Sequence, residues 1–149
     1  MTSLLALSLV MAAPQRLSNF GALMDKLKGG YEVRVVVDYA KTKLVIDGKE
    51  EEAPKAIGGS KIDHWEWFDR GVVRNKLAYV AASSTVLIGH PSYGYVENYV
   101  RFRIYEDQSV EITARYLKGV EKEIVMDEIF KGKISNGKDE HGVSFFTEP

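Results

Sequence analysis

Val96, Asn98, Val100, Phe102 and Ile104 alternate without a break with Glu97, Tyr99, Arg101, Arg103 and Tyr105. Glu106-Asp107-Gln108 follows, and then Val110, Ile112, Ala114 and Tyr116 alternate with Glu111, Thr113 and Arg115. A period of two puts one set of side chains on each face of a pleated strand. Two such runs across a short polar turn therefore predict an antiparallel hairpin with one core face and one amphipathic face. Two registers keep the faces matched. Pairing Ile104 with Ile112 sets Arg101 opposite Arg115, a like-charge pair that costs stability. Pairing Ile104 with Val110 sets Arg103 opposite Glu111 and leaves Glu106-Asp107-Gln108 as a three-residue loop. The second register is expected, with Gln108 at the left-handed position such a loop requires and glycine fills best.

The rest of the chain fits around that hairpin. Phe20, Leu23, Met24 and Leu27 fall at i, i+3, i+4 and i+7, the apolar stripe of a helix over residues 19–28. Ser18 is the expected N-cap, Lys26 and Lys28 suit the negative end of the helix dipole, and Gly29-Gly30 supplies the stop. Strands are expected over Tyr31–Tyr39, Leu44–Ile46, Ile62–Phe68, Leu77–Ser83, Thr85–Ile88, Glu123–Phe130 and Val143–Phe146. Ser83-Ser84 reads as a bend, and Asp47-Gly48, the cluster His90–Gly94 and Asn136-Gly137 read as turns. Lys49–Ser60 reads as an exposed loop. The class is mainly β: an antiparallel β-barrel or a two-layer β-sandwich, with one N-terminal α-helix covering an end or an open face.

Leu4 to Ala13 is apolar and uncharged, about the length of a signal-peptide core and short of the roughly 20 residues that cross a bilayer. Val10 and Ala12 fit the small-residue rule for cleavage after Ala12. We expect residues 1–12 to be a signal peptide and 13–149 a single β-rich domain, secreted or extracytoplasmic (periplasmic if bacterial). The n-region lacks Lys and Arg, which leaves a buried N-terminal segment as the competing reading. At 45% hydrophobic and 28% charged residues the chain is neither disordered nor fibrous. Twenty Lys and Arg against 21 Asp and Glu leave no basic footprint for nucleic acid. With no cysteine, disulfides, thiolate metal sites and cysteine nucleophiles are excluded.

No motif fixes a reaction. His64, His90 and His141 lie far apart without metal-ligand spacing. Ser83-Ser84-Thr85 lacks a nucleophile-elbow context, and Ile57-Gly58-Gly59-Ser60 is too short a glycine run to cradle phosphate. No cofactor is expected. In His64-Trp65-Glu66-Trp67 a strand puts both tryptophans on one face, where they either line an apolar pocket or belong to the core. The outward row Tyr99, Arg101, Arg103, Tyr105 and Arg115 is the best surface feature. It either meets a partner or is satisfied by Glu97, Glu111 and Thr113 on a solvated sheet face.

Several runs carry a resemblance to a known family. They are Val33–Tyr39, Lys43–Lys49, Ala56–Gly59, Tyr99–Asp107 with Ser109–Ile112, and Ile134–Asp139. In these the chain resembles the VirK family, small extracytoplasmic proteins found notably in plant-associated bacteria. The likeness covers most of the chain after the signal segment. It implies export and a single-domain fold. It implies no activity, catalytic residue or cofactor, because none is established for the family. Cysteine near Lys43 and glycine near Gln108 are family features from which this chain departs, so the resemblance is to a divergent member.

Three functions stay open. The favoured one is a secreted, non-enzymatic binding protein. It holds a small apolar molecule in a pocket lined by Trp65, Trp67, Phe102, Ile104, Ile112 and Tyr116, or meets an extracellular partner through the Arg/Tyr face. The second is a small hydrolase or isomerase built on His64 and a carboxylate such as Asp38 or Asp63. The third is an extracellular structural or matrix protein.

Overall fold

The computed structural model describes residues 12–148, so all but the last residue of the expected signal segment lies outside the described residues. Eleven strands, one α-helix and a short 3₁₀ turn follow in the order β1 (Gln15–Leu17), α1 (Phe20–Lys28), β2 (Val33–Asp38), the 3₁₀ turn Tyr39–Lys41, β3 (Lys43–Ile46), β4 (Lys49–Glu51), β5 (Ile57–Lys61), β6 (Trp65–Phe68), β7 (Tyr79–His90), β8 (Gly94–Tyr105), β9 (Ser109–Lys118), β10 (Glu123–Lys133) and β11 (Val143–Thr147). They form two antiparallel sheets that do not close on each other. The smaller has the order β1-β11-β2-β5 and the larger β4-β3-β10-β9-β8-β7-β6. Of the two architectures left open by the sequence, this is the sandwich.

The β8–β9 hairpin takes the expected register. Arg103 faces Glu111, Ile104 faces Val110 and Arg101 faces Thr113. Gln108 sits at φ +73, the left-handed position of the three-residue loop. The inward row of β8 and β9 continues across the sheet. Val80, Ile104 and Val110 form one layer, and Ala82, Phe102, Ile112 and Phe130 the next. All of these are buried, in one cluster with Val33, Val35, Val37, Val143 and Phe145 of the smaller sheet. Burying apolar side chains from both inner faces stabilises the sandwich at about 25 cal/mol per Å².

Helix α1 buries Leu23, Met24 and Leu27 in that same cluster, the stripe expected from its spacing. Its N-cap is Asn19 and not Ser18: Asn19 Oδ1 accepts from the Ala22 N–H at 2.9 Å. The Phe20 N–H is taken by Gln108 Oε1 at 2.7 Å, which docks the helix start on the β8–β9 loop. One end of the sandwich is thereby closed by the helix.

Several boundaries differ from expectation. Leu77–Ser83 and Thr85–Ile88 are one strand without a bend at Ser83-Ser84, because β8 pairs with β7 continuously from Tyr79 to His90. The stretch Lys49–Ser60 contains β4 and most of β5, edge strands that pair with β3 and β2. The strand expected at Ile62 begins at Trp65, and Ile62 instead ends the β5 pairing, its N–H bonded to Val33 O. Gln15–Leu17 is an additional short strand on β11. Asp47 and Gly48 both have positive φ, the two-residue turn expected from Asp-Gly.

Candidate functional site

The end of the sandwich away from α1 is not filled. Beyond Phe102 the inner rows of the larger sheet read Ser84, Val100, Ala114 and Glu128, then Val86, Asn98, Tyr116 and Met126. The smaller sheet answers them with Val37 from β2 and with Gly58 and Ser60 from β5, whose side chains are small or missing. A cleft therefore opens between the sheets. One lobe of about 180 Å³ lies among Val37, Gly58, Ser60, Ser84, Asn98 and Phe102. An adjoining lobe of about 290 Å³ lies among Ala56, Ala114, Tyr116, Met126, Glu128 and Phe130. Tyr39, Gly58, Asn98 and Val100 line both, so the lobes form one cleft. A cavity of ~150 Å³ already takes a benzene ring.

Tyr39 is the post of this site. It follows β2 in the 3₁₀ turn and packs edge-on against Phe130, with ring centroids 4.7 Å apart. Burial, with Glu128 next, raises the pKa of its hydroxyl. A side chain at Gly58 would place its first carbon 3.2 Å from the Tyr39 ring edge, so glycine there keeps the wall close and bare. At the cleft's outer rim His90 and Tyr93 pack near Tyr116, His90 and Tyr116 at 5.2 Å.

Glu128 faces the cleft between Ala114, Tyr116, Met126 and Phe130, and burial raises its pKa. Its neighbour Asp127 points to the opposite face and is paired with Arg115 at 2.9 Å. Among the described residues Glu128 has no hydrogen bond and no ion pair, and it carries the only charge on the cleft wall.

The structure divides the pocket residues named from sequence. Phe102 and Tyr116 line the cleft. Trp65 and Trp67 share the inner face as their spacing requires. However, β6 pairs only with Tyr79–Ala82, which keeps them at the helix end. There Trp65 packs against the core, and Trp67, 40% exposed, lies under the Lys28 ammonium at 4.8 Å. Ile104 and Ile112 are core.

The Arg/Tyr row lies on the outer face of the larger sheet and is half-buried by its own members. Arg115, opposite Tyr99, is paired with Asp127, an acidic partner not among those expected. Arg103 lies opposite Glu111 and over the Tyr79 ring, and Tyr79 is 5.5 Å from Tyr105. Arg101 donates to Thr113 at 3.5 Å, while its Nε is buried without a partner.

His64 is exposed and makes no hydrogen bond or ion pair among the described residues. Asp38 is near Lys41 and Asp63 near Lys61. The acid/base arrangement considered from sequence is not assembled. Among the described residues no cluster of His, Asp and Glu has metal-site geometry, and no helix is long and apolar enough to cross a membrane.

Tyr39, Gly58, Asn98 and Glu128 were not singled out by the sequence. A signal existed for two of them: Asn98 and Glu128 are polar residues on the apolar register of alternating strands, Val96-Asn98-Val100 and Met126-Glu128-Phe130.

A family model described as VirK protein matches residues 16–121. The fold is also similar to the crystal structure of a VirK family protein from Legionella pneumophila. The TM-score is 0.66 at 16% identity, over 88% of this chain and 98% of that one. No curated protein matches.

Proposed function

The chain belongs to the VirK family, and from that premise we propose that it is an exported, non-enzymatic binding protein whose inter-sheet cleft holds a small, mainly apolar ligand. The observation that carries this reading is the cleft itself. The core is covered by α1 at one end, where the hollow beside Trp65 is mainly polar, and at the other Gly58 and Ser60 stand opposite Val100, Ala114 and Met126 across a mainly apolar cleft. A concave, mainly apolar site with a few placed polar groups is the usual pattern of small-molecule recognition. The apolar, uncharged run Leu4–Ala13 supports export. The outer Arg/Tyr face is the weaker candidate, because Asp127, Glu111 and Thr113 meet its arginines within the sheet.

The test is calorimetric titration with 4-phenylbutan-1-ol of the wild-type chain and of Gly58→Val, with folding of both checked by thermal unfolding. Valine suits a strand and fills the cleft beside Tyr39. Saturable binding to the wild type that falls at least tenfold in the variant supports the reading. Equal binding to both, or none to the wild type, overturns it. Tryptophan fluorescence is a poor reporter here, since both tryptophans lie at the other end.

A further inference from the structure

Among the described residues Glu128 is a half-buried, unpaired carboxylate on a row of the sheet that is otherwise apolar around it. It sits on the core-facing row of β10, flanked by Met126 and Phe130 and opposite Ala114. A carboxylate in apolar surroundings is disfavoured unless something compensates its charge. Elsewhere the chain provides that compensation readily: next to it in sequence, Asp127 has Arg115, and on β8 Glu97 has Lys122. Glu128 has no cation among the described residues, and the cleft wall contributes none. What the wall does contribute is two tyrosine rings, Tyr39 and Tyr116, and the thioether of Met126. Ring faces attract cations through their quadrupole, and a desolvated carboxylate attracts them more strongly. Resting on the cleft reading, we propose that the natural ligand is a small organic cation, an ammonium group on an apolar body. Glu128 serves as its counter-ion, and Tyr39 and Tyr116 flank the charged head.

The geometry assigns the parts of such a ligand. The ammonium lies in the larger lobe, where Glu128 and Tyr116 are. The apolar body extends past Val100 toward Phe102 in the smaller lobe, and Asn98 between the lobes offers a hydrogen bond to either part. An anionic ligand would meet the Glu128 carboxylate with no basic group to offset it.

The experiment compares three probes of matched shape at pH 8 by calorimetry: 4-phenylbutylammonium, 4-phenylbutan-1-ol and 5-phenylvalerate. The wild type should bind the ammonium about tenfold more tightly than the alcohol, with no measurable binding of the carboxylate. Glu128→Gln keeps the shape and removes the charge, so the roughly tenfold preference for the ammonium over the alcohol should fall to about one in this variant. If the alcohol binds the wild type as tightly as the ammonium, or if the Gln variant retains the preference, the cation inference is wrong while the cleft reading stands. If none of the three binds the wild type, the cleft reading fails and takes this inference with it.

Discussion

Gln108 ties the start of α1 to the β8–β9 loop, and substituting it separates two opposing contributions. Its φ of +73 suits glycine, and a side chain there costs about 1–2 kcal/mol relative to glycine. Against that, its Oε1 accepts from Phe20 N–H at 2.7 Å, capping α1 across 88 residues of sequence, and its Nε2 donates to Glu106 O at 3.0 Å. A helix-capping bond of this kind is worth about 1 kcal/mol. Gln108→Gly loses the cap and relieves the backbone, so its stability should stay within about 0.5–1 kcal/mol of wild type. Gln108→Ala loses the cap and keeps the strain, so it should be destabilised by about 1–1.5 kcal/mol. Equilibrium unfolding in urea measures both, and the Ala variant's midpoint should fall by roughly 0.5 M with an unchanged slope. An Ala variant as stable as wild type would refute the capping role. A Gly variant more than about 1.5 kcal/mol above wild type would show that the side-chain bonds contribute nothing.

Other substitutions probe the site and its surroundings. The Glu128 carboxyl has its pKa raised by burial, so its charged form weighs on the folded state as pH rises past its ordinary value of 4.5. Glu128→Gln should therefore be more stable than wild type at pH 7 by a few tenths of a kcal/mol, a small figure because the carboxyl keeps solvent contact. That advantage should vanish below pH 4.5, and thermal unfolding across pH would show its absence if the reasoning is wrong. Asp139 is the opposite case: backbone N–H groups of Asn136 and His141 lower its pKa from 3.8 to about 2. Its contribution to the Asn136–His141 loop is full above pH 3.8 and lost as pH falls to about 2, and a carboxyl titration by NMR with a midpoint near 3.8 would contradict this. The outer edge of β7 beyond Ala82 has no partner strand among the described residues, and Val86 and Leu87 there are 58% and 66% exposed. Leu87→Lys should suppress concentration-dependent association seen by light scattering; a wild type that scatters as a monomer at every concentration would dispose of that expectation.

The β8–β9 hairpin was legible because its information is local. Alternation fixes the faces, and Arg103 against Glu111 fixes the register. The stripe of α1 was legible for the same reason, although Asn19 and not Ser18 caps it. Edge strands were not. Lys49-Glu50-Glu51 and Ile57-Gly58-Gly59-Ser60-Lys61 have no apolar period, and they are strands only because β3 and β2 offer them a hydrogen-bonding edge. Val36 shows the converse: it makes the run Val33–Val37 read as nearly continuous, broken only by Arg34, yet it is 38% exposed because the smaller sheet buries one face there. The cleft was out of reach for a further reason. Its walls come from β2, β5 and β7–β10, and its existence depends on how two sheets diverge past Phe102. The tryptophan pair shows that a correct face assignment does not fix which end of the sandwich a side chain reaches when strand length along the neighbour is unknown.

Methyl NMR of the methionines reads the cleft most directly, because Met126 lines it while Met24, 6% exposed, is held in the core under α1. On titration with 4-phenylbutan-1-ol the Met126 methyl resonance should move saturably, and that of Met24 should stay fixed. A Met126 resonance that never moves, or one that moves together with Met24, would mean that the space between the sheets is not a binding site.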